Sequence, residues 1–226
     1  MPNVTVFYGF YGSGKSEISI NYALWLRRQG KAVSIVDLDA VTPYFRVRDV
    51  REALEAEGVV VVSPKESLRH ADLPVLPEGV RQTLRYGAGE VVVDVGGDPT
   101  GARVLGGLKD ALAPGAKGLF VVNSNRPFTR TVEGAKEAAL AIGSASGLPP
   151  SGIVSNTHMA DLTTEEHIVE GVDFARKLGE ELRLPVVFCA APADLKSRRD
   201  SIASRVGGIP VLWLERFLRK PWEENE

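Results

Sequence analysis

Gly9-Phe10-Tyr11-Gly12-Ser13-Gly14-Lys15-Ser16 follows a β-branched run at 4–8 and precedes a segment of helical period. The octamer fits G-x-x-x-x-G-K-[ST], and a strand before it with an amphipathic helix after it is the setting that pattern needs. Its glycines let the backbone turn so that successive N–H groups point into one concavity. The start of the next helix adds partial positive charge there. Such a loop grips a polyphosphate. Gly9, Phe10, Tyr11, Gly12, Ser13, Gly14, Lys15, Ser16 and, in the first helical turn, Glu17 are the candidate contacts. Lys15 is placed to reach the β- and γ-phosphates, and the Ser16 hydroxyl to ligate Mg2+.

Outward from this loop, short apolar runs alternate with longer helical segments. Strands are expected at 4–8, 32–36, 59–62, 90–95, 118–122, 152–155 and 186–190, and helices at about 15–29, 45–56, 99–112, 131–142 and 166–182. Ile18, Tyr22, Trp25 and Leu26 form one helical stripe; Ile168, Val172, Ala175, Leu178 and Leu182 form another. Strands apolar on both faces and separated by helices predict a single doubly wound, mostly parallel α/β sheet with helices on both sides. The expected division is a nucleotide-binding domain over 1–208 and an amphipathic tail over 209–226 docking on it. The irregular stretch 64–79 reads as a long surface connection or a flap.

In such sheets ligands bind at the carboxyl ends of the strands. The second run ends in Asp37-Leu38-Asp39 and a later one in Asp94-Val95-Gly96-Gly97-Asp98. A carboxylate at a buried strand tip is costly unless a cation meets it. Mg2+ held by Ser16 and, through water, by Asp94 satisfies both charges, with Gly97 free to approach a γ-phosphate. Asp98 before Pro99 reads as a helix cap. Alternation sends Asp37 and Asp39 to similar sides, one to help position Mg2+ and the other to orient water or accept a proton.

The 226 residues at 24.4 kDa suit one domain; they are 44% hydrophobic and 25% charged, with mean hydropathy −0.04. Twenty-seven Lys+Arg against 29 Asp+Glu leave a net charge of −2, which gives no basic signal for nucleic acid. A single cysteine, Cys189, excludes an intramolecular disulfide framework and multi-Cys metal sites, and reads as a buried thiol. The opening stretch lacks a basic n-region before an apolar run, and no apolar run reaches the roughly 18 residues of a spanning helix. A cytoplasmic protein is expected.

The phosphate loop, the VDLDAVTPYFR segment and VVVDVGGD together resemble the MinD/ParA/CobQ-CobB group of P-loop nucleotide-binding proteins, over about residues 3–195. The closest resemblance is to its small single-domain ATP-binding members. This resemblance implies ATP and ADP as ligands, Mg2+ as cofactor, Asp39 in water activation and Asp37 supporting the metal. It also places Asn156 against the base, with His158 nearby, and Pro192 and Asp194 closing the base pocket. Thr157 and Met159 stand where a guanine-reading N-K-x-D has Lys and Asp, which favours adenine. Phe10 replaces the lysine that partitioning ATPases send across a dimer interface, so a homodimer of that form is weakened. Arg126, in the polar stretch 123–127, is with Arg46, Arg48 and Arg103 a candidate for an anionic substrate or partner. For Arg48 a solvated loop charge is the preferred reading. The tail at 209–222 reads as a terminal amphipathic helix docked on its own domain, with membrane contact disfavoured.

The expected function is Mg2+-dependent ATP binding with slow hydrolysis, as a nucleotide switch or an assembly or regulatory ATPase. Alternatives are a phosphotransferase or ligase acting on a small acid or alcohol, and a membrane- or DNA-associated MinD/ParA-like ATPase. The small-molecule substrate or protein partner is unidentified.

Overall fold

In a computed structural model, which describes residues 1–39, 46–64 and 76–218, the β-branched runs form eight strands. They are β1 (Asn3–Tyr8), β2 (Val33–Leu38), β3 (Val60–Val62), β4 (Glu90–Val95), β5 (Lys117–Val122), β6 (Pro150–Ser155), β7 (Val186–Pro192) and β8 (Val211–Leu214). They make one parallel sheet in the order β3-β2-β4-β1-β5-β6-β7-β8. The helices are α1 (Lys15–Arg28), α2 (Arg51–Ala56), α3 (Val80–Tyr86), α4 (Pro99–Gly106), α5 (Val132–Ser146), α6 (Glu165–Leu182) and α7 (Arg199–Arg205). The doubly wound α/β architecture is the expected one.

Alternation sorts the core onto two faces. Val4, Val6 and Tyr8 of β1 and Val91, Val93 and Val95 of β4 pack with Leu105 of α4, Ile142 of α5 and Leu178 of α6. Phe7, Ile35 and Val92 point the other way, onto Ile18 and Leu24 of α1 and Leu54 of α2. Burial of each large aliphatic side chain contributes about 1.5–3 kcal/mol. Asp94 follows the parity of Val92 and Asp37 that of Ile35, so both carboxylates fall on the α1 face. They are register partners across the β2–β4 ladder.

Three expectations change. The helix expected over 99–112 stops at Gly106, where Gly107 caps it, and continues as a 3-10 turn at Lys109–Ala111; two successive glycines weaken a helix interior. The helix expected over 45–56 is a 3-10 turn, Val47–Val50, followed by α2, and Phe45 lies outside the described residues. Most of the stretch 64–79 lies outside them too. The third change concerns the tail. Where a helix was expected from 209, Val211–Leu214 is β8, paired parallel with β7. β7 would otherwise present an open edge of unpaired N–H and C=O groups, and a Val-Leu-Trp-Leu run suits that pairing.

Beyond β8 the chain returns to α1. Asn21 acts as a piece of main chain: its Nδ2 donates to the Glu215 carbonyl at 2.9 Å and its Oδ1 accepts from the Glu215 N–H at 2.8 Å. The Glu17 carboxylate accepts the N–H groups of Phe217 (2.8 Å) and Leu218 (3.1 Å). Replacement Asn21→Ala removes both Glu215 bonds. It is expected to lower stability by about 1–3 kcal/mol, read as a lower urea midpoint.

Candidate functional site

β1 lies where the strand order reverses direction, between β4 and β5, and the phosphate-loop octamer leaves its carboxyl end. Gly12 and Gly14 both adopt left-handed conformations, at φ 75° and 81°. At Gly14, the N-cap of α1, a Cβ would also collide with the Asn156 side chain. The turn is braced from β6, since Asn156 Nδ2 donates to the Ser13 carbonyl at 2.7 Å. Asn156 is therefore committed by its amide nitrogen to the loop.

Lys15 and Ser16 are buried at the start of α1. Lys15 Nζ stands 3.6 Å from Asp39 Oδ2, with both side chains nearly excluded from solvent. Asp94, on the neighbouring strand, is fully buried. Its Oδ1 accepts from the Ser19 hydroxyl at 3.3 Å, while its Oδ2 has no hydrogen-bond partner. The Ser13 hydroxyl is likewise buried without a partner. Burial pushes the Asp94 carboxyl up to about 7, and Asp39 and Asp37 add to the rise. Lys15 and the nearby Ser16 hydroxyl oppose it. An unsatisfied carboxylate oxygen beside a serine at a helix start fits the donor set of a hydrated divalent cation. Among the described residues no group of three or more His, Cys, Asp or Glu side chains could hold a metal.

Asp37 has a different partner from the one expected. Its Oδ2 accepts from Arg48 Nε at 2.7 Å and from the Arg48 N–H at 3.1 Å, and its Oδ1 accepts from Arg48 Nη2 (3.1 Å) and from the Asp39 N–H (3.0 Å). Four bonds occupy both oxygens, which argues against a metal role. Arg48 is correspondingly not a solvated loop charge: it is buried and holds this pair. The bond from Arg48 Nη2 to the Asp39 carbonyl fixes the backbone that presents Asp39 to Lys15.

Other expected residues disperse. Glu17 is committed to the tail and does not face the phosphate loop's concavity. Arg46 pairs with Asp49, Arg48 with Asp37, and Arg103 is exposed on α4. Pro192 and Asp194 lie at the end of β7, three strands from β1. Asp98 caps α4 by accepting from the Gly101 N–H at 2.6 Å. The ring of Tyr11 packs on Gly97, where a γ-phosphate was expected to approach. Burial, then Asp98 and Asp39, push its phenol up to about 12. Phe10 packs against Phe128 with the ring centroids 4.7 Å apart and the planes tilted by 39°. His158 lies beside Gly14 with Nε2 buried and unpartnered. Ser19 was missed by the sequence reading, although its place one turn after Ser16 puts it on the same helix face.

Together these features define an α/β fold of the P-loop NTPase type. The chain is similar to the cell division protein FtsY of Thermotoga maritima, with 19% identity and a TM-score of 0.59 over 84% of this chain and 62% of that one. FtsY of Elizabethkingia anophelis in complex with GDP gives 19% and 0.56 over 84% and 57%. The signal recognition particle 54 kDa protein of Aeropyrum pernix K1, also with GDP, gives 19% and 0.59 over 91% and 46%. The chain thus spans less than two thirds of each, and at such identities the likeness is one of fold. No family model matches the sequence, and no curated protein does. Among the described residues no helix is long and apolar enough to cross a membrane.

Replacing Arg48 by Ala strands the Asp37 charge and is expected to destabilise the fold by about 3–5 kcal/mol, measured by urea denaturation. A pH series tests Asp94. Its folded carboxyl titrates above its unfolded value of 3.8, so the native state binds more protons and stability falls as pH rises between the two values. The Asp94→Asn protein should therefore gain on the wild type from about pH 4 to about pH 7, and the gain should level off above that.

Proposed function

We propose that this chain binds ATP with Mg2+ and hydrolyses it slowly, as a nucleotide-dependent switch or assembly ATPase. One observation carries the reading: the unpartnered Asp94 Oδ2, buried beside Ser16 at the foot of a phosphate loop whose lysine faces Asp39. The Ser16 hydroxyl and, through water, Asp94 would hold Mg2+, which when bound neutralises charge on the β- and γ-phosphates. The loop amides and Lys15 bind and orient the phosphates. Asp39, backed by Arg48, orients the attacking water and takes its proton. Positioning and fixed charge do most of the catalytic work in such a site.

For the base, Thr157 and Met159 in place of the lysine and aspartate of a guanine-reading motif support adenine. Two of the similar structures hold GDP, which makes GTP the control ligand. Asn156 Oδ1 and the residues after β7, Pro192 and Asp194, are the proposed base contacts. The remaining site assignments are Gly9 to Ser16 on phosphate and Asp39 in catalysis. Asp37 is left out of the metal shell because Arg48 occupies it.

Replacement Lys15→Ala should abolish ATP binding in calorimetry, and near-normal affinity would overturn the phosphate-loop reading. Replacement Asp39→Ala should leave ATP bound and lower turnover at least about 100-fold; unchanged hydrolysis would remove Asp39 from the mechanism. Sizing the wild-type protein with and without ATP separates purposes. Nucleotide-driven assembly supports a switch, whereas ADP release only on addition of a small acid or alcohol supports phosphoryl transfer.

A further inference from the structure

The loop after β5 brings a guanidinium onto the phosphate loop itself. Arg126 Nε donates to the Gly12 carbonyl at 2.9 Å, and Asn123 Nδ2 reaches the same oxygen at 3.4 Å. The two segments are fitted to each other. Gly12 has φ 75°, and a Cβ there would stand 2.8 Å from Arg126 Nε. The arginine's backbone is fixed on both sides: its N–H donates to the Asn123 carbonyl (3.2 Å), and its carbonyl accepts from the Thr129 N–H (3.0 Å). The buried Thr129 hydroxyl donates to the Asn123 carbonyl at 2.7 Å. Pro127 then opens a one-turn 3-10 helix, Pro127–Thr129.

The charge so presented is not neutralised. Arg48, Arg51, Arg81, Arg176 and Arg205 each pair with a carboxylate. Arg126 has no carboxylate within ion-pair distance among the described residues, and its two terminal nitrogens make no protein hydrogen bond there. Its field reaches the neighbouring ring: burial first, then Arg126, lower the His158 imidazole to about 4. Asn156 flanks Gly14 and His158 lies against both Gly14 and Gly12, whereas Tyr11 meets Gly97. Gly12 follows Tyr11, whose ring meets Gly97 just beyond β4.

We propose that Arg126 is a catalytic residue, a guanidinium supplied from within the same chain to the terminal phosphates of the bound nucleotide. The inference rests on the nucleotide reading above. In hydrolysis a water oxygen forms a bond to the γ-phosphorus and the bond to the β–γ bridging oxygen breaks. The electron pair stays on the departing ADP, and the water proton passes to Asp39. Arg126 gives up no proton. Its free nitrogens hydrogen-bond the γ-phosphoryl oxygens and the bridging oxygen, where negative charge builds as that bond breaks. A planar fork suits this task better than an ammonium does.

The test uses the full chain, with ATP and ADP binding measured by calorimetry and phosphate release at saturating ATP. Arg126→Ala is expected to bind ADP within about threefold of wild type while turnover falls about 100-fold or more. Millimolar guanidinium ion should restore part of the lost rate. Arg126→Lys should keep ATP affinity and not the rate. Unchanged turnover in Arg126→Ala overturns the proposal. So does an equal loss of ADP and ATP affinity without guanidinium rescue, the signature of a residue that merely braces the loop. A wild-type protein that binds neither nucleotide defeats the underlying reading, and this proposal with it, before any variant is compared.

Discussion

Asp37 and Asp94 are register partners on adjacent strands, both wholly buried and both on the face that meets α1. Burial raises the cost of ionising Asp94, and the charge on Asp37 adds to it. The protein resolves this by giving them different partners. Arg48 closes on Asp37 with a two-pronged pair and a main-chain bond, which makes that charge part of the framework. Asp94 receives a weak hydroxyl bond from Ser19 and keeps one oxygen without a partner. The proposed chemistry follows from this unequal treatment, because an unsatisfied carboxylate oxygen beside the phosphate loop suits a cation.

The same economy extends outward. Arg48 reaches past Asp37 to the Asp39 carbonyl, so the residue that neutralises the framework also sets the acid facing Lys15. Asn156 from β6 and Arg126 from the loop after β5 hold successive carbonyls of the phosphate loop, those of Ser13 and Gly12. On the other flank, Glu17 and Asn21 bind the main chain that follows β8, tying the end of the described chain to the first turns of α1. The phosphate loop and the first turns of α1 are thus where segments distant in sequence converge.

Much of this was legible beforehand. The strands containing Asp94 and the loop's lead-in could be read because their apolar runs are bounded by glycines and acids, and the parity of Asp37 and Asp39 follows from a two-residue repeat. Asp98 as a cap was readable from the Pro that follows it. Residues whose role depends on a distant partner were not. Arg48 in a polar stretch carries no local sign that it will be buried, and Glu17 looks like a phosphate-side acid until the tail arrives. The helix expected over 209–222 failed for the same kind of reason. A Val-Leu-Trp-Leu run has no fixed preference strong enough to decide between helix and strand, and the open edge of β7 decided it.

The amino-acid sequence by itself determined the order of elements, the phosphate loop with its glycines, and which strand tips carry acids, because these depend on spacing within a few residues. Only the tertiary structure decided which acid is neutralised, which arginine stands unneutralised over Gly12, and where the chain goes after β8. Those outcomes depend on groups up to about two hundred positions apart meeting in a buried, poorly solvated space, as Glu17 and Leu218 do, and no local pattern records that meeting.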